Sequence, residues 1–439
     1  MQTFHSPIKL GVFLTIFRIT MLRFFCFLTT VITATATQSS EEKTIYLVPL
    51  TRSGAIQLSL QRNLDLQAAR YAIQRAEAAS IDEGALPNTK INVSSASDFA
   101  FNNEGEHMWS VGLSQQFPVT GRLRWLRSLA VQEIALAKIE VQVAELELAA
   151  KVATVFDALE ANLAEVQLLN QQLTLNLSFQ QFLQIKVKRA EASSLDIRQA
   201  QLVAAALRQK TERLERRRAQ MLADLKRLLA IESDEALELA KDPTSLPQEL
   251  PIYQRDALVS HPDFALKQQF ATIASTRSDL ALARRWSDIA VELFFQEAHV
   301  IDEPIGIEQE RFLGIGVSIP LPLQDRNRGQ IESNRQYELQ IDLELKAMVF
   351  RLLNEAESLR VSYLDVQDQI ENYGSKLLAP AETNLAELEQ AYGAGLIDLT
   401  EVFRAQERLL DLRLELLELK TERASLLTQW RATTAHFLL

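Results

Sequence analysis

Residue types that could do chemistry are few in this chain of 439 residues, and they are widely spaced. The chain has five histidines and a single cysteine, Cys26, so an internal disulfide framework and a multi-cysteine metal site are both excluded. The sequence has no serine–histidine–aspartate set, phosphate-binding loop or catalytic pair of carboxylates. It therefore predicts a protein that is not an enzyme and that needs no cofactor.

The histidines are also poor candidates for metal ligands. His261 directly precedes Pro262 at the start of a helical pattern, which is typical of the cap region of a helix. His107 and His299 are expected in mobile connections between strands, where two imidazoles would make a poor metal site. With five methionines in the whole chain, a relay of soft sulfur ligands is not visible. We therefore expect no metal centre.

Charge and composition limit the possible partners and the fold class. The formal net charge of −11 argues against a nucleic-acid-binding protein. A basic run at 213–218 is interpreted as the solvated face of a helix. Glycine and aromatic residues are sparse, whereas Ala, Leu, Glu, Gln and Arg abound, which favours long helices.

The N-terminus has the pattern of an export signal. Residues 21–36, MLRFFCFLTTVITATA, combine a basic start, a short apolar run and a small-residue end. We predict a signal peptide over 1–36 and Thr37 as the mature N-terminus; Met21 is an alternative start codon. The residues before Cys26 are too large for a lipoprotein signal. No later stretch approaches the 18 uninterrupted apolar residues of a transmembrane helix, so we expect none in the mature chain.

A strand-to-helix transition occurs twice. The stretch VGLSQQFPVTGRLR at 111–124 matches GIGVSIPLPLQDRNRGQ at 314–330 with an offset of 204 residues. Two further matches, NLDL with HPDF and Ala200-Gln201 with Ala405-Gln406, have offsets of 198 and 205. The sequence thus predicts a duplicated helix–β-hairpin–long-helix–helix unit. The predicted boundaries are 37–231 for the first repeat, 232–252 for a linker and 253–439 for the second repeat.

The strand segments, about 90–119 and about 288–322, alternate in polarity. Apolar side chains occupy one set of alternate positions and small or polar ones the other. Strands of this length and pattern are typical of a membrane barrel. An ordinary half-buried sheet packed on helices remains an alternative at this point. Four strands cannot close a barrel, so a membrane location requires oligomerisation.

The helical segments carry narrow heptad seams, in several cases two per helix. The second long helix repeats apolar residues by threes and fours, and the seam comprises Leu345, Val349, Leu352, Ala356, Leu359, Tyr363, Val366, Ile370, Tyr373 and Leu377. Two seams on one helix predict a neighbour on each side, as in a ring of helices. A plain antiparallel bundle is the alternative.

The lengths of these segments predict how they align. Residues 122–189 would span roughly 100 Å as one helix. We expect two composite helices of matching length, 194–232 joined to 255–285 and 50–86 joined to 397–432. The turns at 189–195 and 392–398 would then lie together at the end opposite the strands.

The two transition motifs, with AYGAGLIDLTEVFRAQERLL at 391–410, resemble the outer-membrane efflux protein family typified by TolC, over essentially all of the mature chain. The resemblance implies a fold that is mainly α with a membrane β-barrel. It implies a homotrimer with a shared 12-stranded barrel in the outer membrane and a periplasmic α-helical barrel. Within this family the chain resembles the heavy-metal efflux branch typified by CzcC.

The resemblance also assigns the partners and the functional positions. A periplasmic adaptor and an inner-membrane pump of the RND type are the implied partners. The implied adaptor-contact tips are Arg189, Ala190, Ser193, Ser194, Tyr392, Gly393 and Gly395. The implied pore constriction comprises Asp196, Glu401 and Arg404. Many relatives have glycine where this chain has Ala190, and some have a second pore acid where it has Arg404. An alternative for both acids is helix capping.

These observations predict a passive exit duct of a tripartite efflux system. Its substrate would be driven by the pump, and heavy-metal cations are the class that the CzcC resemblance suggests. Two alternatives remain open from the sequence. One is the outer-membrane duct of a type I protein-secretion system, and the other is an exported coiled-coil adaptor or scaffold without a barrel.

Overall fold

The first half of the chain alternates short helices, a strand hairpin and one very long helix. The computed structural model describes residues 49–100, 105–189, 193–240, 246–302 and 306–437. The predicted signal peptide and Ala190 lie outside the described residues. The elements of the first half are α1 (Arg52–Arg62), α2 (Leu64–Ser80), β1 (Lys90–Ser97), β2 (His107–Phe117), α3 (Arg122–Lys188) and α4 (Ser194–Leu229).

The second half repeats this order. A short 3-10 helix, Arg255–Ser260, precedes the repeated elements. They are α5 (Pro262–Ala283), β3 (Ile289–Asp302), β4 (Gly306–Ser318), α6 (Arg328–Tyr373), a π-turn (Gly374–Leu378), α7 (Ala379–Gly393) and α8 (Leu399–Thr433). The predicted duplicated unit is therefore confirmed as an order of elements.

The four strands form one antiparallel sheet in the order β1-β2-β3-β4. The central pairing, β2 with β3, joins the two halves of the chain and aligns Phe117 with Ile289 at one end and His107 with His299 at the other. The sequence analysis expected the two histidines in the connections between strands. That expectation is wrong, because His107 begins β2 and His299 lies within β3. Their rings stack with centroids 4.2 Å apart. Among the described residues, β1 and β4 each have only one strand partner, so the sheet has two open edges.

The two faces of the sheet differ in chemistry. One face carries exposed apolar side chains along all four strands: Ile91, Val93, Val111, Leu113, Leu293, Leu313, Ile315 and Val317. The other face is mostly small or polar, with Met108, Phe294 and Phe312 as exceptions. There Asn92 donates a hydrogen bond to Glu292 (2.7 Å), and the ring of Phe294 lies over Gly314, where an added Cβ would come within 2.5 Å of Cζ. The alternation predicted from the sequence is thus present in the part of the sheet nearer the helices, and towards the His107–His299 end the apolar face becomes polar at Glu297 and Arg311.

The long helix α3 contacts different partners along its two halves. Near the sheet, Glu145 accepts a hydrogen bond from Arg70 of α2 (2.7 Å). In the same half, Gln132 donates to Thr276 of α5 (2.7 Å). Further along, Glu165 pairs with Lys210 of α4 (3.4 Å), and α8 packs against the same half. Helix α6 likewise contacts α5 near the sheet and α8 beyond it.

These contacts correct the predicted composite helices. Helix α4 continues the line of α2, because its end meets Asn63 at the start of α2. Helix α8 continues the line of α5, because its end meets His261 at the start of α5. The sequence had instead predicted that 194–232 continues into 255–285 and that 50–86 continues into 397–432. Segment lengths are nearly the same in both arrangements, so they could not distinguish them. The prediction that both turns lie opposite the strands is confirmed by the packing of Tyr392 against Phe179.

The heptad seam of α6 holds up to Tyr373 and then shifts. Leu352, Ala356, Tyr363 and Val366 are buried as predicted. Leu377, predicted on the seam, is 46% exposed, while the neighbouring Leu378 is partly buried. The five-residue π-turn, which contains one more residue per turn than an α-helix, accounts for the shift.

A buried ion pair ties three helices together at mid-height. Arg52 of α1 lies 3.0 Å from Asp157 of α3, and both side chains are almost completely buried. Thr428 of α8 bonds to both of them. Burial raises the pKa of Asp157 and outweighs the opposing effect of Arg52. The pair therefore fixes the alignment of the helices at a desolvation cost.

Arg52→Ala is expected to lower the free energy of unfolding by about 3–5 kcal/mol, because it leaves a buried carboxylate without its cation. The double variant Arg52→Met/Asp157→Leu should regain most of that loss, since no charge remains buried. Chemical denaturation of the purified protein measures both. A double variant no more stable than Arg52→Ala would contradict the explanation.

Candidate functional site

The end of the body opposite the sheet brings together the two turns that the sequence singled out. A small apolar cluster joins them, with Leu183, Ala200, Leu399 and Phe403 buried. Tyr392 packs against this cluster from the end of α7. The turn between α3 and α4 and the turn between α7 and α8 are thus held side by side. We call this region the distal tip.

Aromatic rings hold the distal tip together. Phe179 of α3 makes an edge contact with Phe403 of α8 (centroids 5.5 Å apart) and a tilted contact with Tyr392 (6.1 Å). The Lys186 ammonium lies 4.9 Å from the centre of the Tyr392 ring and 5.3 Å from that of Phe182. Such cation–π contacts stabilise by about 0.5–1 kcal/mol when exposed. Burial, with a smaller effect from Asp196, raises the pKa of Tyr392.

Sequence reasoning found Tyr392 but missed its partners. Phe179 and Phe182 are three residues apart near the end of α3, and Lys186 follows one turn later. In a chain with only 7% aromatic residues, this density was a usable signal.

The turn between α7 and α8 explains one of the two predicted glycines. The amide of Gly395 donates to Tyr392 O and the amide of Leu396 to Ala391 O (both 3.0 Å), which is the Schellman pattern. Gly395 has a φ of +72°, which favours glycine. Gly393 is the last residue of α7 and has no such requirement. Leu396 projects from this turn and is 77% exposed.

The turn between α3 and α4 ends in a capping box. Ser193 accepts a hydrogen bond from the amide of Leu195 (3.1 Å), and the Asp196 carboxylate accepts one from the amide of Ser193 (2.9 Å). Asp196 thus acts as a cap, the alternative kept open for it. Arg189 closes the preceding helix α3, and Ser194 begins α4 with an exposed side chain. Next to it Leu195 is 66% exposed.

Glu401 is the third residue of α8, as Asp196 is of α4, but its carboxylate has a different partner. Its N-cap residue, Asp398, makes no side-chain capping hydrogen bond within the described part of the chain. The Glu401 carboxylate instead faces Arg404 one turn later (3.5 Å), and both side chains are more than half exposed. Such a pair stabilises weakly, so Glu401 is the tip acid that stays accessible to solvent and ions.

The remaining candidates lie elsewhere. The stacked His107–His299 pair is at the far end of the sheet. Among the described residues, no cluster of three or more His, Cys, Asp or Glu side chains could hold a metal ion. Within the same residues, no helix is long and apolar enough to cross a membrane.

Solved structures with this fold exist, although no protein-family model and no curated protein sequence matches the chain. CusC, studied for its folding and transmembrane channel formation, matches with a TM-score of 0.72 and 18% identity, covering 88% of this chain and 93% of that one. The outer membrane protein VceC of Vibrio cholerae matches at 0.70 and 18%, covering 87% and 95%. The CmeC outer membrane channel of Campylobacter jejuni matches at 0.70 and 13%, covering 87% and 85%. The predicted fold is therefore confirmed.

The two tip acids should respond differently to substitution. Asp196→Ala removes one half of the capping box and should destabilise the first turn of α4 by about 1 kcal/mol. Faster amide hydrogen exchange at Ser193–Ile197 is the expected readout. The matched variant Glu401→Ala should leave exchange in the first turn of α8 unchanged. Equal effects at the two positions would contradict the assignment.

Proposed function

We propose that this chain is an outer-membrane channel, the passive exit duct of a tripartite efflux system. It would lie in the cell outer membrane, with the helical body in the periplasm. The observation that carries the proposal is the sheet, which exposes an apolar surface on one face and a small, polar surface on the other. The fold shared with outer-membrane channels supports it.

The apolar face suits a lipid environment. Leu313 and Ile315, in the middle of β4, are 76% and 75% exposed. In water such a surface would favour aggregation. In a bilayer the same side chains contact the lipid tails, and no polar group has to be buried in hydrocarbon. The strands have 8 to 14 residues, which brackets the roughly 9–11 residues that a tilted strand needs to cross a bilayer. The opposite face, with Asn92 and Glu292, would line a wet lumen.

The two open edges imply assembly. Unpaired backbone groups are not tolerated in hydrocarbon, so β1 of one copy must pair with β4 of another until the sheet closes. A homotrimer closes it with 12 strands, an even number within the range of known barrels. The helical body offers apolar surface for the same contacts: Tyr71 of α2 and Leu343 and Phe350 of α6 are each at least 66% exposed.

The distal tip is the proposed docking end for a periplasmic adaptor. Leu195 and Leu396 are exposed on its two turns, and Arg189 and Ser194 are also exposed there. An inner-membrane pump of the RND type would supply the energy. Heavy-metal cations are the proposed substrate class, on the CzcC resemblance alone, and an accessible Glu401 is compatible with cation passage.

The sheet faces provide a direct test of the membrane location. Val93→Arg places a charge on the apolar face and should cost about 2–4 kcal/mol at mid-bilayer depth. Ser94→Arg, on the adjacent residue, faces the lumen and should be tolerated. We expect the yield of trimer in outer-membrane fractions to fall for the first variant alone. If Ser94→Arg is the more damaging substitution, the assignment of the faces is wrong.

Single-channel recording tests the predicted pore constriction. Glu401→Ala should raise anion passage because a negative ring at the tip is removed. Arg404→Ala should increase block by divalent cations, because Glu401 then lacks its counter-charge. Glu332→Ala, a glutamate at the sheet end of α6, serves as the control. Unchanged selectivity and block in both tip variants would leave Glu401 as a surface charge without a role in the pore.

A further inference from the structure

Each half of the chain has a joint where a helix of the distal part meets a helix of the sheet-proximal part. In the first half, Asn63 is the N-cap of α2, and its side-chain oxygen accepts a hydrogen bond from the amide of Leu66 (2.9 Å). Its side-chain nitrogen donates to the carbonyl of Leu228 at the end of α4 (2.9 Å). One buried side chain therefore starts α2 and holds α4 against it.

The second half builds the same joint around His261. This residue is the N-cap of α5, and its Nδ1 accepts a hydrogen bond from the amide of Asp263 (3.1 Å). Its Nε2 lies 3.1 Å from the carbonyl of Thr433, the last residue of α8. His261 corresponds to Asn63 at the offset of 198, and Thr433 to Leu228 at the offset of 205.

The two joints differ in their response to protons. An amide side chain such as that of Asn63 does not titrate. His261 performs both tasks only as the neutral tautomer with hydrogen on Nε2, because Nδ1 must accept from one amide and Nε2 must donate to a carbonyl. A proton on Nδ1 would point at the Asp263 amide and remove the cap. His261 is 1% exposed, so water cannot replace the lost bond without opening the joint.

The surroundings also disfavour the charged ring. Burial lowers the pKa of His261 from its ordinary value of 6.5, against smaller opposing effects of Asp263 and the Thr433 carbonyl. Near Thr433, the charged or titratable residues are Arg431 at the end of α8 and His436 in the turn after it. The ring of His436 packs on Trp430. The 3-10 helix that precedes His261 in the chain carries Arg255 and Asp256. Because the folded pKa lies below the unfolded one, the joint is intact above pH 6.5 and loses stability as pH falls.

We propose that the joint between α5 and α8 is a proton-operated release, whereas the joint between α2 and α4 is not. Protonation of His261 opens the joint and so breaks the hydrogen bond that holds α5 to Thr433, at the end of the last turn of α8. Acidification would then loosen the last turn of α8 and the first turn of α5, while the end of α4 and the first turn of α2 stay fixed. The proposal rests on the two joints and holds whether or not the chain is an exit duct.

Hydrogen exchange of the intact purified protein tests this directly. The Asp263 amide and the amides of 434–436 should lose protection by about tenfold between pH 7.5 and pH 5, after correction for intrinsic exchange, as one lost hydrogen bond implies. The Leu66 amide is the internal control and should keep its protection. If the Leu66 amide lost as much protection as the Asp263 amide, the proposal would be overturned, and no variant is needed to see this.

Exchanging the two cap residues provides the matched variants. His261→Asn should abolish the pH dependence in the second half, and Asn63→His should introduce one at Leu66. Either result is readable from hydrogen exchange alone, so it is independent of channel activity. A His261→Asn protein that still loses protection at pH 5 would show that another group controls the joint.

Discussion

The length of α3 is the constraint on which the rest of the structure depends. This helix has 67 residues and spans roughly 100 Å, while α2, α4, α5 and α8 have 17, 36, 22 and 35 residues. None of them can cover it alone. Each neighbouring row must therefore be built from two helices that meet end to end, and every meeting point exposes unsatisfied backbone groups. At each joint one buried side chain, Asn63 or His261, satisfies one amide of the starting helix and one carbonyl of the ending helix.

Duplication has kept the architecture and changed the chemistry at equivalent positions. Asn63 and His261 occupy equivalent positions in the two joints, but only His261 can take up a proton. Asp196 and Glu401 are each the third residue of their helix, α4 and α8, but only Asp196 is used as a cap. In both cases the residue of the first half is held by local hydrogen bonds, and its role does not depend on a change in protonation or on bound ions. The residue of the second half remains able to respond to ions or pH.

Local pattern was sufficient for the elements and insufficient for their alignment. The strand-to-helix transitions after Phe117 and Ser318, the single helix α3 and the cap position of His261 followed from polarity and proline placement. The stacking of α4 on α2 did not, because segment lengths are compatible with either partner. The shift at Leu377 was invisible because heptad counting assumes an unbroken α-helix. The ring cluster around Phe179 depends on two turns 200 residues apart in sequence meeting in space.

The π-turn in the second long helix has a geometric consequence. One additional residue in a helix rotates everything beyond it by about 100° around the helix axis. Without Gly374–Leu378, α7 would present a different side to α8, and Tyr392 would point away from Phe179. The direction in which the turn between α7 and α8 faces thus depends on the one additional residue in the π-turn, some 14 residues before that turn. An insertion or deletion of one residue in this segment would rotate the second distal turn about the helix axis, whereas α3 is one uninterrupted α-helix from end to end.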